Sequence, residues 1–545
     1  MHRRRRTVTF VRGVDQFPPR GKRILTGRNA VLVLALVGAS LVPVVGAGPG
    51  VSPVAADGNE APGSPAAFRG LTAGAAHTCA IVTTSGQVKC WGENADGRLG
   101  LGDTADRGDD AGEMGASLPS VDLGTGRTAT ALAAGEFHTC ALLDNSRVKC
   151  WGANFGGQLG LGDTDPRGDG PGEMGDSLPT VDLGAGRTAT AITAGRAHTC
   201  ALLDNATVKC WGLNTGGELG LGDNNHRGDA PGEMGNALPV VSLGSGRTAT
   251  TITSGYTHTC ARLDNATLKC WGRNDSGQLG LGDTAYRGIA PGQMGDSLPT
   301  VALGTGRTAT AITAGGSHTC ARLDNGQVKC WGSGASGQLG LGNAGSRGDA
   351  PNQMGDALPA VSLGSGRTAT SITTGDFHSC AVLDNATVKC WGFNDTGQLG
   401  QGNTTVLGDG PGEMGDSLNA VTLGTGRSPV AVTAGYNHTC ARLDNGQVKC
   451  WGNNGSGRLG LGDTNHRGDN AGEMGNSLPA VSLGVGTVSG AVVDSVSGVP
   501  LVGRFVARLW TSDFSMGGGA VGGGGGRGRG AGGAGGGGGF WGGPP

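Results

Sequence analysis

Residues 188–244 read TATAITAGRAHTCALLDNATVKCWGLNTGGELGLGD, then NNHRGDAPGEMGNALPVVSLG. Four short runs within it, TATAIT, HTCALL, TVKCWG and LPVVSL, are rich in apolar and β-branched residues. Gly, Asn, Asp and Pro separate them, and no helical period competes, so the stretch predicts four strands and no helix. The unit recurs seven times at a 60-residue period, in phase at Trp91, Trp151, Trp211, Trp271, Trp331, Trp391 and Trp451. Four strands per repeat at this spacing is the content of a propeller blade. The first copy enters at Phe68–Ala73, equivalent to TATAIT, and the last exits after Leu478–Leu483, equivalent to LPVVSL. The expectation is an all-β, seven-bladed β-propeller of four-stranded blades over residues 68–486, closed by the C-terminal strand completing the first blade.

The inner hairpin can be placed by register. If Cys200 faces Cys210, the pairing sum is 410, so Leu202 opposes Val208 and Thr199 opposes Trp211. The loop is then Asp204-Asn205-Ala206, a three-residue connection. Cys200, Leu202, Val208 and Cys210 share one face, and Ala201 and Trp211 the other. In the first copy a four-residue loop, Thr83-Thr84-Ser85-Gly86, absorbs one extra residue. All 14 Cys fall into seven such couples: Cys79 with Cys90, Cys140 with Cys150, Cys200 with Cys210, Cys260 with Cys270, Cys320 with Cys330, Cys380 with Cys390, and Cys440 with Cys450. None has the C-x2-C spacing of a zinc site, and in an exported chain disulfides are the default. Each would close a loop of about 11 residues, worth at most ~3 kcal/mol by chain entropy.

Composition agrees. Of 545 residues 112 are Gly, without the Gly-X-Y period of collagen, and 15% are charged, too few for a helical bundle. Residues 1–30 carry nine Arg/Lys and one Asp, a balance of +8, whereas residues 69–486 carry 28 basic and 38 acidic side chains, a balance of −10. An acidic body repels phosphate backbones and argues against nucleic-acid binding. The basic start precedes an apolar run, Ala30 to Ala47, and small-residue sites at Val45-Gly46-Ala47 and Val54-Ala55-Ala56. This reads as a secretory signal over residues 1–56, with an uncleaved anchor as the alternative, followed by a linker over 57–67. The mature protein is therefore expected outside the cell or on its surface, with no membrane segment after signal removal. Beyond the repeats, Thr487-Val488-Ser489-Gly490-Ala491-Val492-Val493 with Pro500-Leu501 is similar to the opening of carboxypeptidase-regulatory-like β-sandwich domains. Residues 487–514 are read as a truncated sandwich start and 515–545 as a Gly-rich disordered tail.

The run AGRAHTCALLDNATVKCWGLNTGGELGLGD resembles the repeat of the regulator of chromosome condensation family, on its AG-x-x-HT, VKCWG and G-x-LGLGD elements. The resemblance implies a seven-bladed propeller. The eukaryotic namesake is a nuclear guanine-nucleotide exchange factor that also binds chromatin, and secreted bacterial relatives include a proteinaceous β-lactamase inhibitor. For an exported, acidic chain the resemblance implies protein binding before exchange activity.

Several recurring residues invite functional readings. One His precedes Thr/Ser-Cys in each copy (His77, His138, His198, His258, His318, His378, His438), and is read as a hydrogen-bonder in a turn, the seven being too dispersed for one metal. The recurring Trp is read as inter-blade packing. Arg-Gly-Asp stands in five copies, but Arg287-Gly288-Ile289 and Leu407-Gly408-Asp409 replace it in two, as a structural turn would allow. Carboxylates such as Asp163, Asp169, Glu173 and Asp176 lack the spacing of an EF-hand or an RTX repeat. No nucleophile elbow, phosphate loop or convergent acid–base pair is present, so no enzyme, metal or cofactor is expected.

The copies differ mainly at the two residues before each His, just after Trp-Gly, and after Gly-Asp-Thr. Every Tyr, and every Phe between residues 69 and 486, lies at these places. Core positions need the same shape in each blade, so these positions are expected on exposed loops forming one ring. Exposed aromatics beside Arg and Asp are the composition of a recognition surface. The expected partner-binding residues are Phe137, Phe155, Arg196, Tyr256, Tyr286, Phe377, Phe393 and Tyr436. The expected function is an exported, monomeric scaffold binding a protein or glycan through one face; the alternative is a guanine-nucleotide exchange factor acting on a small GTPase.

Overall fold

A computed structural model describes residues 68–484. The expected signal, linker, sandwich start and Gly-rich tail lie outside the described residues. Seven antiparallel sheets follow one another along the chain, each of three strands in sequential order. Blade 3 is representative, with strands Ala189–Ala194, His198–Leu203 and Val208–Gly212. Five single turns of 3-10 helix are the only helical elements among the described residues, and none could cross a membrane.

The hairpin register is as the cysteines require. Cys200 faces Cys210, Thr199 faces Trp211 and Leu202 faces Val208. Leu203 N–H bonds to Thr207 O at 2.9 Å, leaving Asp204-Asn205-Ala206 as the loop, with Ala206 left-handed at φ 61°. In blade 1, Val82 N–H bonds to Gln87 O at 2.8 Å around the four-residue loop.

All seven expected couples are disulfides, one within each hairpin. Cys79 is bonded to Cys90, Cys140 to Cys150, Cys200 to Cys210 and Cys260 to Cys270. Cys320 is bonded to Cys330, Cys380 to Cys390 and Cys440 to Cys450. The partners face each other directly across the two strands, as Cys79 and Cys90, Cys260 and Cys270, Cys320 and Cys330, and Cys380 and Cys390 do in their own blades. No cysteine among the described residues is free.

The fourth strand is not formed. LPVVSL of blade 3 makes one ladder bond, Val241 N–H to Val208 O at 2.8 Å, and the same single bond recurs from Val481 to Val448. The physical reason lies in the segment itself. Pro239 supplies no N–H, and the buried Leu238, Val241 and Leu243 are spaced three and then two apart, which breaks the alternation a strand needs. The expected closure is corrected with it: Val481 bonds within blade 7 and adds no strand to blade 1. Blades 7 and 1 meet as other neighbours do, with Phe68, Leu71 and Trp91 packed on Cys440, Val448 and Cys450.

Each hairpin buries both faces between neighbours. Cys200, Leu202, Val208 and Cys210 pack on Ala261, Leu263 and Trp271 of blade 4, while Ala201, Leu203 and Trp211 pack back on Cys140, Leu142, Val148 and Cys150 of blade 2. Gly220 makes the close fit possible. It sits at φ 66°, and a Cβ there would lie 2.7 Å from the Trp271 indole nitrogen.

Candidate functional site

The histidines are inter-blade links and not turn residues, which corrects their expected role. His138 Nε2 lies 2.8 Å from Thr199 Oγ1 in the next blade. Thr199 donates its proton to Gln158 O at 2.9 Å, so it accepts from His138, which fixes the Nε2–H tautomer. Trp211 Nε1–H donates to the same carbonyl at 3.0 Å. This motif repeats at all seven junctions, from His77 to Thr139 at 2.8 Å around to His438 and Thr78 at 2.9 Å. Burial holds the imidazoles neutral, with pKa values near 3 for His138, His258 and His318 and near 4 for His198 and His378. The recurring Trp packs between blades as expected, and additionally donates a hydrogen bond.

The Arg-Gly-Asp turns are likewise structural clasps. Arg167 Nη2 pairs with Asp163 at 2.7 Å, and Gly168 N–H donates to Glu173 at 2.9 Å. The Gly168 carbonyl accepts Gly102 N–H from the preceding blade at 3.0 Å. Of the acids weighed for calcium, Asp163 and Glu173 are thereby engaged, and Asp176 accepts from Thr125 Oγ1 at 2.5 Å. Among the described residues no three His, Cys, Asp or Glu converge as a metal would need.

The variable positions do come together. Strand one of each blade is followed by Gly, which turns the chain into the pair preceding His. A Cβ on Gly195 would lie 2.5 Å from Gly255 O, so consecutive turns nest against one another around the axis. Backbone bonds join them: Glu136 N–H to Gly195 O at 3.3 Å, Arg196 N–H to Tyr256 O at 3.0 Å and Gly316 N–H to Asp376 O at 3.2 Å. Ala75, Glu136, Arg196, Tyr256, Asp376 and Tyr436 thereby line one central cavity of about 110 Å³. The residues after Trp-Gly join the same end, because Ala153 N–H bonds to Phe137 O and Phe393 N–H to Phe377 O, both at 3.0 Å.

Two aromatic clusters result. In the first, Phe137 and Phe155 meet edge-on at 5.7 Å, and Arg196 lies between Phe137 and Tyr256, 5.8 and 5.0 Å from their centroids. Arg196 Nε also pairs with Glu136 at 3.0 Å, and Arg98 stands 5.5 Å from the Phe137 ring. In the second, Phe377 meets Phe393 at 6.1 Å and Tyr436 at 5.2 Å, both edge-on. Tyr286 stands apart, donating to Asp275 at 2.6 Å with Arg273 over its ring at 6.0 Å.

The expectation of exposed aromatics holds only in part. Phe155 is 54% exposed, but Phe137, Tyr256, Tyr286, Phe377, Phe393 and Tyr436 are half-buried. Neighbouring blades converge at the axis, so large side chains on adjacent turns bury one another. Sequence reasoning passed over two charged members of the mouth, Glu136 and Asp376, although both stand in the variable pair before His. Burial, with Glu136 nearby, pushes the Asp376 carboxyl up to about 7. Burial and a hydrogen bond to Glu136 also raise Tyr256.

Comparison with known proteins bears on this arrangement. The model of the RCC1-like domain matches residues 47–370, and that of the regulator of chromosome condensation (RCC1) repeat matches residues 369–398 and 430–458. The ultraviolet-B receptor UVR8 of Arabidopsis thaliana is 27% identical over 401 residues, covering 72% of this chain and 79% of its own. The mitochondrial RCC1 domain-containing protein RUG3 of the same plant is 26% identical over 395 residues, 69% of this chain and 79% of its own. Among solved structures, human WBSCR16 superposes with a TM-score of 0.50 at 18% identity, over 72% of this chain and 94% of that one.

Proposed function

Because this chain belongs to the RCC1 repeat family, we propose that it works as a propeller scaffold and binds a protein partner through the face around its central mouth. The observation that carries this reading is the convergence of the variable positions. Seven nearly identical blades present Glu136-Phe137, Arg196, Tyr256, Asp376-Phe377 and Tyr436 at one end, where the seven-fold pattern is broken. Aromatic rings and arginine at a partly buried centre are the ingredients of an interface hot spot. The exposed Phe155 and the Phe137 ring it meets edge-on offer apolar area that needs little further ordering on binding.

On this reading the protein is exported, monomeric and not an enzyme. Export follows from the signal-like N-terminus and accords with seven disulfides, which a reducing cytosol would not maintain. The same disulfides weigh against an intracellular exchange factor. A glycan is the other partner class that an aromatic face accommodates.

The test is paired capture from the native extracellular fraction. The bait is the intact protein, beside a variant carrying Phe137→Ala, Tyr256→Ala, Phe377→Ala and Tyr436→Ala whose fold is verified by circular dichroism and thermal melting. A partner retained by the first and lost by the second supports the reading. Equal retention by a folded variant removes the mouth as the binding face.

A further inference from the structure

The mouth holds a cation of its own on one side and a matching set of groups on the other. Blade 2 supplies the dipeptide Glu136-Phe137, and blade 4 supplies Tyr256. Between them lies the Arg196 guanidinium, 3.0 Å from the Glu136 carboxylate and within 5.8 Å of both ring centroids. Blade 6 supplies the same acid–Phe dipeptide, Asp376-Phe377, and blade 7 supplies Tyr436. Here Phe377 and Tyr436 stand edge to face at 5.2 Å, and Asp376 and Tyr436 line the central cavity. No arginine is interposed.

The other charges in reach are already engaged. Arg196 is neutralised by Glu136, and Arg98 pairs with Glu93 at 3.2 Å and Asp96 at 2.7 Å. Arg458 Nη1 is turned to Ala75 O at 3.4 Å. Among the described residues no cation pairs with Asp376. The mouth therefore carries Glu136, Arg196 and Asp376, a net charge of −1 when Asp376 is ionised. Gly316, its neighbour in blade 5, bonds to the Asp376 carbonyl at 3.2 Å and brings no side chain to that side of the carboxylate. A carboxylate beside aromatic rings in a partly dehydrated cavity favours a guanidinium, which gains ion pairing and cation–π attraction together. Its burial without a counter-charge, already visible in the raised carboxyl pKa, is relieved by such a ligand.

We propose that Asp376, Phe377 and Tyr436 form the subsite for an arginine side chain presented by the protein partner, repeating with a foreign guanidinium what Glu136, Phe137 and Tyr256 do with Arg196. This rests on the mouth being the binding face, and specifies the chemistry it selects.

The test uses the full chain labelled with 3-fluorotyrosine; its tyrosines are only Tyr256, Tyr286 and Tyr436, so three ¹⁹F resonances report the mouth and an internal control. The probe is N-acetyl-arginine amide, with N-acetyl-citrulline amide as its uncharged counterpart and N-acetyl-lysine amide as a second cation. The expected result is a saturable shift of Tyr436, with Tyr286 unmoved, and binding at least tenfold weaker for citrulline. Asp376→Asn should abolish the arginine shift while leaving the other two resonances in place, which shows that the fold persists. Equal response to arginine and citrulline, or an unchanged arginine response in Asp376→Asn, overturns the subsite. Lysine binding as tightly as arginine overturns its guanidinium selectivity. The two readings fail separately: if Asp376→Asn keeps the captured partner but the four-alanine variant loses it, the binding face stands and the arginine subsite falls.

Discussion

Asp376 carries a stability consequence of its own. The groups facing it are Glu136, Arg196, Tyr256 and Tyr436, and the single cation among them is committed to Glu136. Its pKa is raised from 3.8 to about 7, so the folded state resists ionisation that the unfolded chain accepts freely. The contribution of this one group to stability is therefore complete below about pH 4 and is lost as pH rises through about 7. Asp376→Asn should stabilise the protein by about 1–2 kcal/mol at pH 8, a figure discounted for its partial exposure, and by nothing near pH 4. Urea melts of the two proteins at both pH values check this; an equal difference at both would mean the carboxyl is not perturbed. This residue was visible in the sequence as one of a variable pair. Its lack of a counter-ion was not, because that depends on which neighbour across the axis already holds Arg196.

At the scale of elements, the hairpin was readable and the outer segment was not. Two cysteines ten residues apart pin a register, and that single constraint carried the loop, the facing residues and both buried faces. LPVVSL had strand composition, but Pro239 and the shifted spacing of Leu238, Val241 and Leu243 leave it one hydrogen bond. The hairpin loop also contains a correctable strain. The third residue of the three-residue loops is left-handed, at φ 61° for Ser146 and Ala206, 64° for Ala266 and 59° for Ala386, while blades 5 and 7 place Gly326 and Gly446 there. A left-handed alanine costs ~1–2 kcal/mol, partly offset by the extra freedom glycine brings to the unfolded chain. Ala206→Gly, Ala266→Gly and Ala386→Gly should each stabilise by ~0.5 kcal/mol, and the triple variant should show a raised thermal midpoint. A lowered midpoint would mean that the loop geometry is wrong.

The whole molecule is held by seven equivalent junctions, each combining His, Thr or Ser, a shared carbonyl and Trp. Each partner hydroxyl comes from the neighbouring copy, 61 or 62 residues from its histidine, except where His438 returns to Thr78. The signal was present as a His-Thr or His-Ser dipeptide in constant phase, but reading it needs the ring, in which equal phases touch. These histidines stay neutral when folded, His138, His198, His258, His318 and His378 with values near 3 to 4 and His77 and His438 held well below the ordinary value by burial, and they take protons at their ordinary pKa near 6.5 when unfolded. Stability should therefore be full above about pH 7 and fall steeply as pH drops below about 6.5, with several protons taken up per molecule unfolded. Denaturant melts at about pH 7.5 and about pH 5 should show a large loss at the lower value; no loss would require charged or exposed histidines. The aromatic face follows from the same geometry, since the turns that carry variability are the ones that nest at the axis.

The central claim is that this face receives the partner. Hydrogen exchange of the full chain, with and without the captured partner, tests it most directly. Slowed exchange confined to the turns around residues 135–137, 153–156, 195–197, 255–257, 375–377 and 435–437 is the predicted footprint. Protection centred instead on the hairpin loops at the other end, around residues 144–147, 204–207 and 264–267, would contradict the account.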